Sequence, residues 1–152
     1  VRYARLIGVR VGSNCKLIHP NFGTEPYLIE IGDHVELTNN VTFVTHDGGV
    51  WVFRDEYPEI DIFGPIVIKD NVFVGLGSII LPNVTIGNNC VIGAGSVVTT
   101  SIPDNSVAAG VPAKVLKNID SYLESSLAKT LNCKNNPAKK RFLVEHFKKE
   151  MK

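Results

Sequence analysis

The sequence predicts an all-β solenoid of short stacked strands, broken by one long inserted loop and followed by a short α-helical tail. Three observations carry that prediction. Large aliphatic residues recur every six positions, small or branched residues recur in the same period, and the phase is interrupted at only two places before it ends near Lys117.

The six-residue period is clearest at Ile68, Val74, Ile80, Ile86, Ile92 and Val98. Val72, Ser78, Val84, Cys90, Ser96 and Ile102 each follow four residues later. The same phase appears at Ile31, Leu37 and Phe43, with Val35 and Val41 at the small position, and a shorter run begins at Val11, Cys15 and Leu17. An α-helix repeats every 3.6 residues, and a β-sandwich alternates with period two, with turns about every 8–12 residues; neither gives a period of six. Short strands joined by tight corners do: three of them close a coil of about 18 residues, and coils stack about 4.8 Å apart. Each unit buries its apolar side chain only against its neighbours, as in a solenoid. Asn, Asp and Gly at Gly32-Asp33, Asp70-Asn71 and Asn88-Asn89 supply corners that need unusual backbone angles.

The first interruption is Asn21–Tyr27. The second runs from Asp47 to Pro65 and carries Gly48-Gly49, Trp51, Phe53 and several acids. A polar and aromatic excursion of that length from a regular stack points to function. After Lys117 the pattern turns helical: Ile119, Leu123, Leu127 and Leu131 lie four apart, and Phe142, Leu143, His146 and Phe147 mark a second helix after Pro137. The expected organisation is one β domain over residues 1–117, with the excursion at 47–65, and a tail at 118–152 whose helices cover the open end of the stack. The basic residues Lys139, Lys140, Arg141, Lys148 and Lys149 read as a solvated helix face.

Composition narrows the function classes. Sixteen Lys and Arg against 15 Asp and Glu give no field for nucleic acid or an anionic membrane. Three cysteines without close pairs form neither a disulfide framework nor a zinc knuckle, and Cys15 and Cys90 pack as small hydrophobes. No apolar stretch approaches the roughly 20 residues of a membrane span, and no signal segment opens the chain. A cytoplasmic location is the expectation. Because the chain opens at Val1, some amino-terminal sequence is expected to be missing.

Two constellations can carry chemistry. His46 stands where the early repeat stops and the long loop starts, with a neighbouring carboxylate such as Asp47, or a backbone carbonyl, to fix the imidazole tautomer. An imidazole so placed can take the proton of a hydroxyl as it attacks a thioester. The other histidines differ: His34 is at a corner, His19 in the first irregular stretch, His146 in the tail. The second constellation is Gly75-Leu76-Gly77-Ser78 and Gly93-Ala94-Gly95-Ser96, one coil apart. Stacked corners of this kind leave a strip of backbone on which an amide chain such as pantetheine fits, or they simply turn the chain. Lys114 and Lys117 follow and suit phosphates at the end of a groove.

The run from Ile92 to Leu116 resembles the coenzyme end of the hexapeptide-repeat sugar O-acetyltransferases: the maltose and galactoside acetyltransferases, nodulation acetyltransferases, and those acting on bacterial surface polysaccharides. The likeness covers about residues 8–118 and is most specific in its second half. It implies a left-handed parallel β-helix, acetyl-coenzyme A as co-substrate with no metal, and a sugar or glycan hydroxyl as acceptor. It also implies a homotrimer with active sites between subunits and direct transfer with His46 as base. The coenzyme contacts it implies are Leu76, Gly77, Ala94, Gly95, Thr99, Thr100, Lys114 and Lys117. At Thr100 and Lys117 many relatives carry lysine and arginine instead. Trp51, Glu25 and Asn39 are the candidate acceptor contacts, and Glu56 and Asp61 are further acids on the loop. Three alternatives stay open: N-acylation of an amino-sugar nucleotide, a zinc enzyme of the carbonic anhydrase type using His19, His34 and His46, and a non-catalytic assembly solenoid.

Overall fold

The computed structural model describes residues 1–148. After a short helix α1 (Arg2–Leu6), the described residues form thirteen strands: β1 (Arg10–Val11), β2 (Lys16–Leu17), β3 (Ile29–Ile31), β4 (Val35–Leu37), β5 (Thr42–Phe43), β6 (Ile66–Ile68), β7 (Val72–Val74), β8 (Ile79–Ile80), β9 (Thr85–Ile86), β10 (Cys90–Ile92), β11 (Val97–Val98), β12 (Ser106–Gly110) and β13 (Ala113–Asn118). They fall into three sheets, ordered β1-β3-β6-β9, β13-β12-β10-β7-β4-β2 and β11-β8-β5. From β3 to β11 successive strands visit the first, second and third sheet in strict rotation, so each three strands complete one coil. Every pairing between these strands is parallel except that of β12 with β13.

The register measures the coils. Val67 pairs with Thr85, a step of 18, whereas Ile29 pairs with Ile66, a step of 37. The excess of 19 is the length of the excursion 47–65. Arg10 pairs with Glu30, a step of 20, so the earlier coil holds two extra residues, and the stretch Asn21–Tyr27 accounts for them. Both interruptions are thus looped out of a stack whose pairing continues on either side.

The repeated aliphatic residues face one core. Ile31, Leu37, Phe43, Ile68, Val74, Ile80, Ile86, Ile92 and Val98 are all buried, as are Val35, Val41, Val72, Val84 and Cys90 at the small position. Each large side chain so buried is worth roughly 1.5–3 kcal/mol against leaving it in water. The buried Ser78 and Ser96 are satisfied at the backbone: Ser78 Oγ donates to the Gly75 and Gly93 carbonyls at 2.8 and 3.1 Å, and Ser96 Oγ to Gly93 at 2.6 Å.

One corner is held by a side-chain ladder. His34, Asn71, Asn89 and Asn105 all adopt positive φ, between 55 and 59°. His34 Nδ1 lies 2.8 Å from Asn71 Oδ1, Asn71 Nδ2 donates to Asn89 Oδ1 at 2.9 Å, and Asn89 Nδ2 to Asn105 Oδ1 at 2.8 Å. Asparagine tolerates the left-handed conformation, and its amide can donate to one coil while accepting from the other.

The ends of the stack differ from the expectation. At the amino end α1 buries Ala4 in the core, and the Arg5 guanidinium donates to the carbonyls of Val11 (3.1 and 2.8 Å) and Gly12 (2.6 Å). At the other end β13 turns back antiparallel on β12 and pairs its edge, so a strand takes the place assigned to helices. The first compact unit spans Val1–Tyr122. The second unit holds α3 (Lys139–Phe147), with an Arg141–Glu145 pair at 2.8 Å, while α2 (Ile119–Leu127) begins in the first unit and ends before Leu131. Lys149 lies outside the described residues.

Candidate active site

The two interruptions meet at one edge of the stack. Phe22 anchors the short one: it is buried, and its ring stacks on Phe43 at 5.4 Å between centroids. Gly23 follows with φ of 66°, and a side chain there would press on the Phe43 carbonyl at 3.0 Å. This close turn brings Glu25 beside the next coil, and a 3-10 turn over Pro26–Leu28 closes it with Leu28 N–H donating to the Glu25 carbonyl at 3.0 Å.

Glu25 Oε2 accepts from the buried Thr45 Oγ1 at 2.6 Å and lies 3.0 Å from His46 Nδ1. Hydrogen bonds from Thr45, Thr24 and His46 pull the Glu25 pKa from 4.5 down to about 2, so the carboxylate stays ionised. Its side chain is only 14% exposed, against 44% for His46. The geometry makes Nδ1 the proton-bearing nitrogen of the neutral ring, which leaves Nε2 as the basic atom.

The carboxylate beside His46 is therefore Glu25 and not Asp47. Asp47 Oδ1 accepts from the Gly49 N–H at 2.9 Å and caps the 3-10 helix Gly48–Phe53. Glu25, which the sequence suggested as an acceptor contact, is engaged with the histidine.

The long excursion is pinned at its neck. Asp47 N–H donates to the Ile62 carbonyl at 2.9 Å and Gly64 N–H to Thr45 at 2.8 Å, with an antiparallel bridge between His46 and Phe63. The His46 and Phe63 rings lie 6.2 Å apart between centroids. Trp51 sits in the 3-10 helix and is 71% exposed, while its neighbour Val50 is buried. Arg54 pairs with Asp61 at 2.6 Å across the loop, which occupies that acid.

The glycine corners form a separate edge. Asn39, Leu76 and Ala94 align in successive coils, since Gly77 N–H donates to the Asn39 carbonyl at 3.0 Å and Gly95 N–H to Leu76 at 2.7 Å. These two N–H groups are spent between coils, and the Asn39 and Leu76 carbonyls that accept from them each keep a second lone pair. Gly77 and Gly95 have φ of 68° and open space where a side chain would be, whereas a Cβ on Gly75 would come within 2.5 Å of the Ala94 nitrogen. The two glycines of each motif are thus required for different reasons. Asn39 Oδ1 also lies 3.3 Å from His19 Nδ1.

Within one chain the strip and the histidine border opposite edges of the third sheet, with β5 between Asn39 and His46. Thr99 and Thr100, both exposed, follow β11 on the edge that His46 occupies. Lys114 and Lys117 lie on β13 opposite Ala109 and Val107. The register shift between Val107 and Ala108 leaves one extra residue on β13, so two lysines three apart come to the same face. Lys117 Nζ also sits 5.5 Å from the centre of the Tyr122 ring. His19, His34 and His46 are each engaged with a different residue, Asn39, Asn71 and Glu25. Among the described residues no three His, Cys, Asp or Glu converge as metal ligands, and no helix is long and apolar enough to cross a membrane.

Comparison with known proteins agrees with the repeat. Residues 65–100 match the family described as bacterial transferase hexapeptide (six repeats). The chain is 52% identical over 149 residues to protein CapG of Staphylococcus aureus, covering 95% of this chain and 87% of that one. Among solved structures, the maltose O-acetyltransferase of Clostridium difficile 630 superposes with a TM-score of 0.57 at 35% identity, covering 78% of this chain and 73% of that one. A hexapeptide-repeat acetyltransferase of Vibrio cholerae O1 biovar eltor, complexed with acetyl coenzyme A, gives 0.61 at 30% identity, covering 74% of this chain and 61% of that one. The chain belongs to the hexapeptide-repeat acetyltransferases.

Proposed function

We propose that this protein transfers the acetyl group of acetyl-coenzyme A to a hydroxyl of a sugar or glycan. The observation that carries this reading is the Glu25–His46 pair: an ionised, shielded carboxylate on Nδ1 and an exposed ring at the neck of a loop. His46 Nε2 takes the proton of the acceptor hydroxyl as its oxygen attacks the thioester carbonyl. Glu25 stabilises the imidazolium that forms, and the proton then passes to the departing thiolate.

The pantetheine arm lies along Leu76–Gly77 and Ala94–Gly95, its amide N–H groups meeting the free lone pairs of the corner carbonyls, while Thr99 and Thr100 face it from the edge that carries His46, in the neighbouring subunit. Lys114 and Lys117 take the phosphates as charge partners. Because the strip and His46 border opposite edges of one sheet, the working site forms between the histidine of one subunit and the strip of a second, in a homotrimer of left-handed coils. The coenzyme-bound V. cholerae relative supports the co-substrate, and the maltose enzyme supports a sugar acceptor. A cytoplasmic location follows from the supply of acetyl-coenzyme A.

Purified protein assayed with acetyl-coenzyme A and a panel of hexosides and amino sugars tests the reading. Acetyl esters on the hexosides are expected. Transfer to amines alone would replace O-acetylation by N-acetylation.

A further inference from the structure

We infer that Phe63 is the platform on which the acceptor ring rests, and so selects cyclic over open-chain hydroxyl acceptors. This rests on the proposed sugar acetylation and names a residue that fixes its specificity.

Phe63 is placed by the backbone opposite the base. The bridge between His46 and Phe63, flanked by the Asp47–Ile62 and Thr45–Gly64 hydrogen bonds, makes it part of the rigid neck rather than of the loop tip. Its ring is 6.2 Å from the imidazole, the planes are inclined by 59°, and 51% of the residue is exposed. Nothing in the fold requires an aromatic residue there. The neighbouring Phe43 and Phe22 are buried and fill the core, whereas Phe63 contributes to no buried cluster.

A pyranose presents a face of C–H bonds that packs on an aromatic face, and its hydroxyls project from the rim in the plane of the ring. A sugar resting on Phe63 would direct a rim hydroxyl toward the adjacent imidazole. Two rigid contacts, an apolar face and a single basic nitrogen, then orient the hydroxyl without an induced change of the loop. Trp51 is more exposed, yet it lies on the 3-10 helix beyond the neck and has no backbone tie to His46. An open-chain hydroxyl such as that of serine has no ring face to rest there, so it gains nothing from Phe63.

The test compares wild type with Phe63→Ala and Phe63→Tyr, using methyl hexosides, L-serine and water as acceptors. Phe63→Ala should raise the hexoside KM so that kcat/KM falls about tenfold, the effect of losing about 1.4 kcal/mol of stacking. The KM for acetyl-coenzyme A, the rate with serine and the slow hydrolysis of the thioester should be unchanged, and Phe63→Tyr should restore hexoside transfer. A uniform loss with all three acceptors, or a hexoside kcat/KM equal to wild type, overturns the platform while leaving sugar acetylation in place. If wild type binds acetyl-coenzyme A but acetylates no hexoside, both the sugar reading and the platform fall.

Discussion

Glu25 Oε2 stands 3.0 Å from His46 Nδ1, although 21 residues separate them in the chain. If that carboxylate fixes the ring, Glu25→Gln should lower kcat by about 100-fold or more, since an amide can favour the wrong tautomer and cannot balance the imidazolium charge. The KM for acetyl-coenzyme A should change little. Steady-state kinetics on wild type and Glu25→Gln, with circular dichroism to check folding, decides this.

The same carboxylate makes a prediction about acid stability. Its folded pKa of about 2 lies below the ordinary 4.5, so its contribution is complete above the ordinary value and is lost as pH falls through the folded one. Between about pH 5 and pH 2, therefore, wild type should lose stability more steeply than Glu25→Gln in urea titrations. Identical slopes would show that Glu25 is free in solution.

The paired glycines should separate in their response to a methyl group. Gly75→Ala forces a Cβ to within 2.5 Å of the Ala94 nitrogen in the next coil, a contact that backbone cannot relieve, so thermal stability should drop severely. Gly77→Ala meets open space and carries only the strain of its positive φ, about 1–2 kcal/mol. Melting temperatures of the two variants should rank in that order, while the Gly77 variant should show the weaker coenzyme binding relative to its stability.

The corner ladder gives a third contrast. Asn71→Ala removes bonds to His34 and Asn89 and puts alanine at φ 57°, costs that together come to about 2–4 kcal/mol. Asn71→Gly loses the bonds but not the conformation, so it should destabilise less. Denaturant unfolding that ranks glycine below alanine would refute the conformational part.

Most of the stack was legible in the sequence because its cause is local and periodic: one inward aliphatic residue per strand, such as Ile80 or Ile92, is visible at a spacing of six. His46 was legible because it stands where that spacing fails. Its partner was not, since proximity suggested Asp47, and only the register shows that Glu25 in the preceding coil comes to the same edge. A signal did exist. The two interruptions fall at corresponding corners of adjacent coils, and insertions so placed must lie side by side. Helix α1 was missed because Arg2–Leu6 is too short for a periodic signal, and the pairing of β13 because an antiparallel return follows no six-residue rule. Phe63 was hidden inside a stretch read only as a loop.

The central claim is that His46 is the base for acetyl transfer to a hydroxyl. It is tested most directly by measuring acetyl ester formed from acetyl-coenzyme A and a hexoside acceptor with wild type and His46→Ala, coenzyme binding being followed in parallel by calorimetry. The account predicts that transfer falls about 100- to 10,000-fold while coenzyme affinity stays within about twofold. Transfer by His46→Ala at the wild-type rate would contradict it.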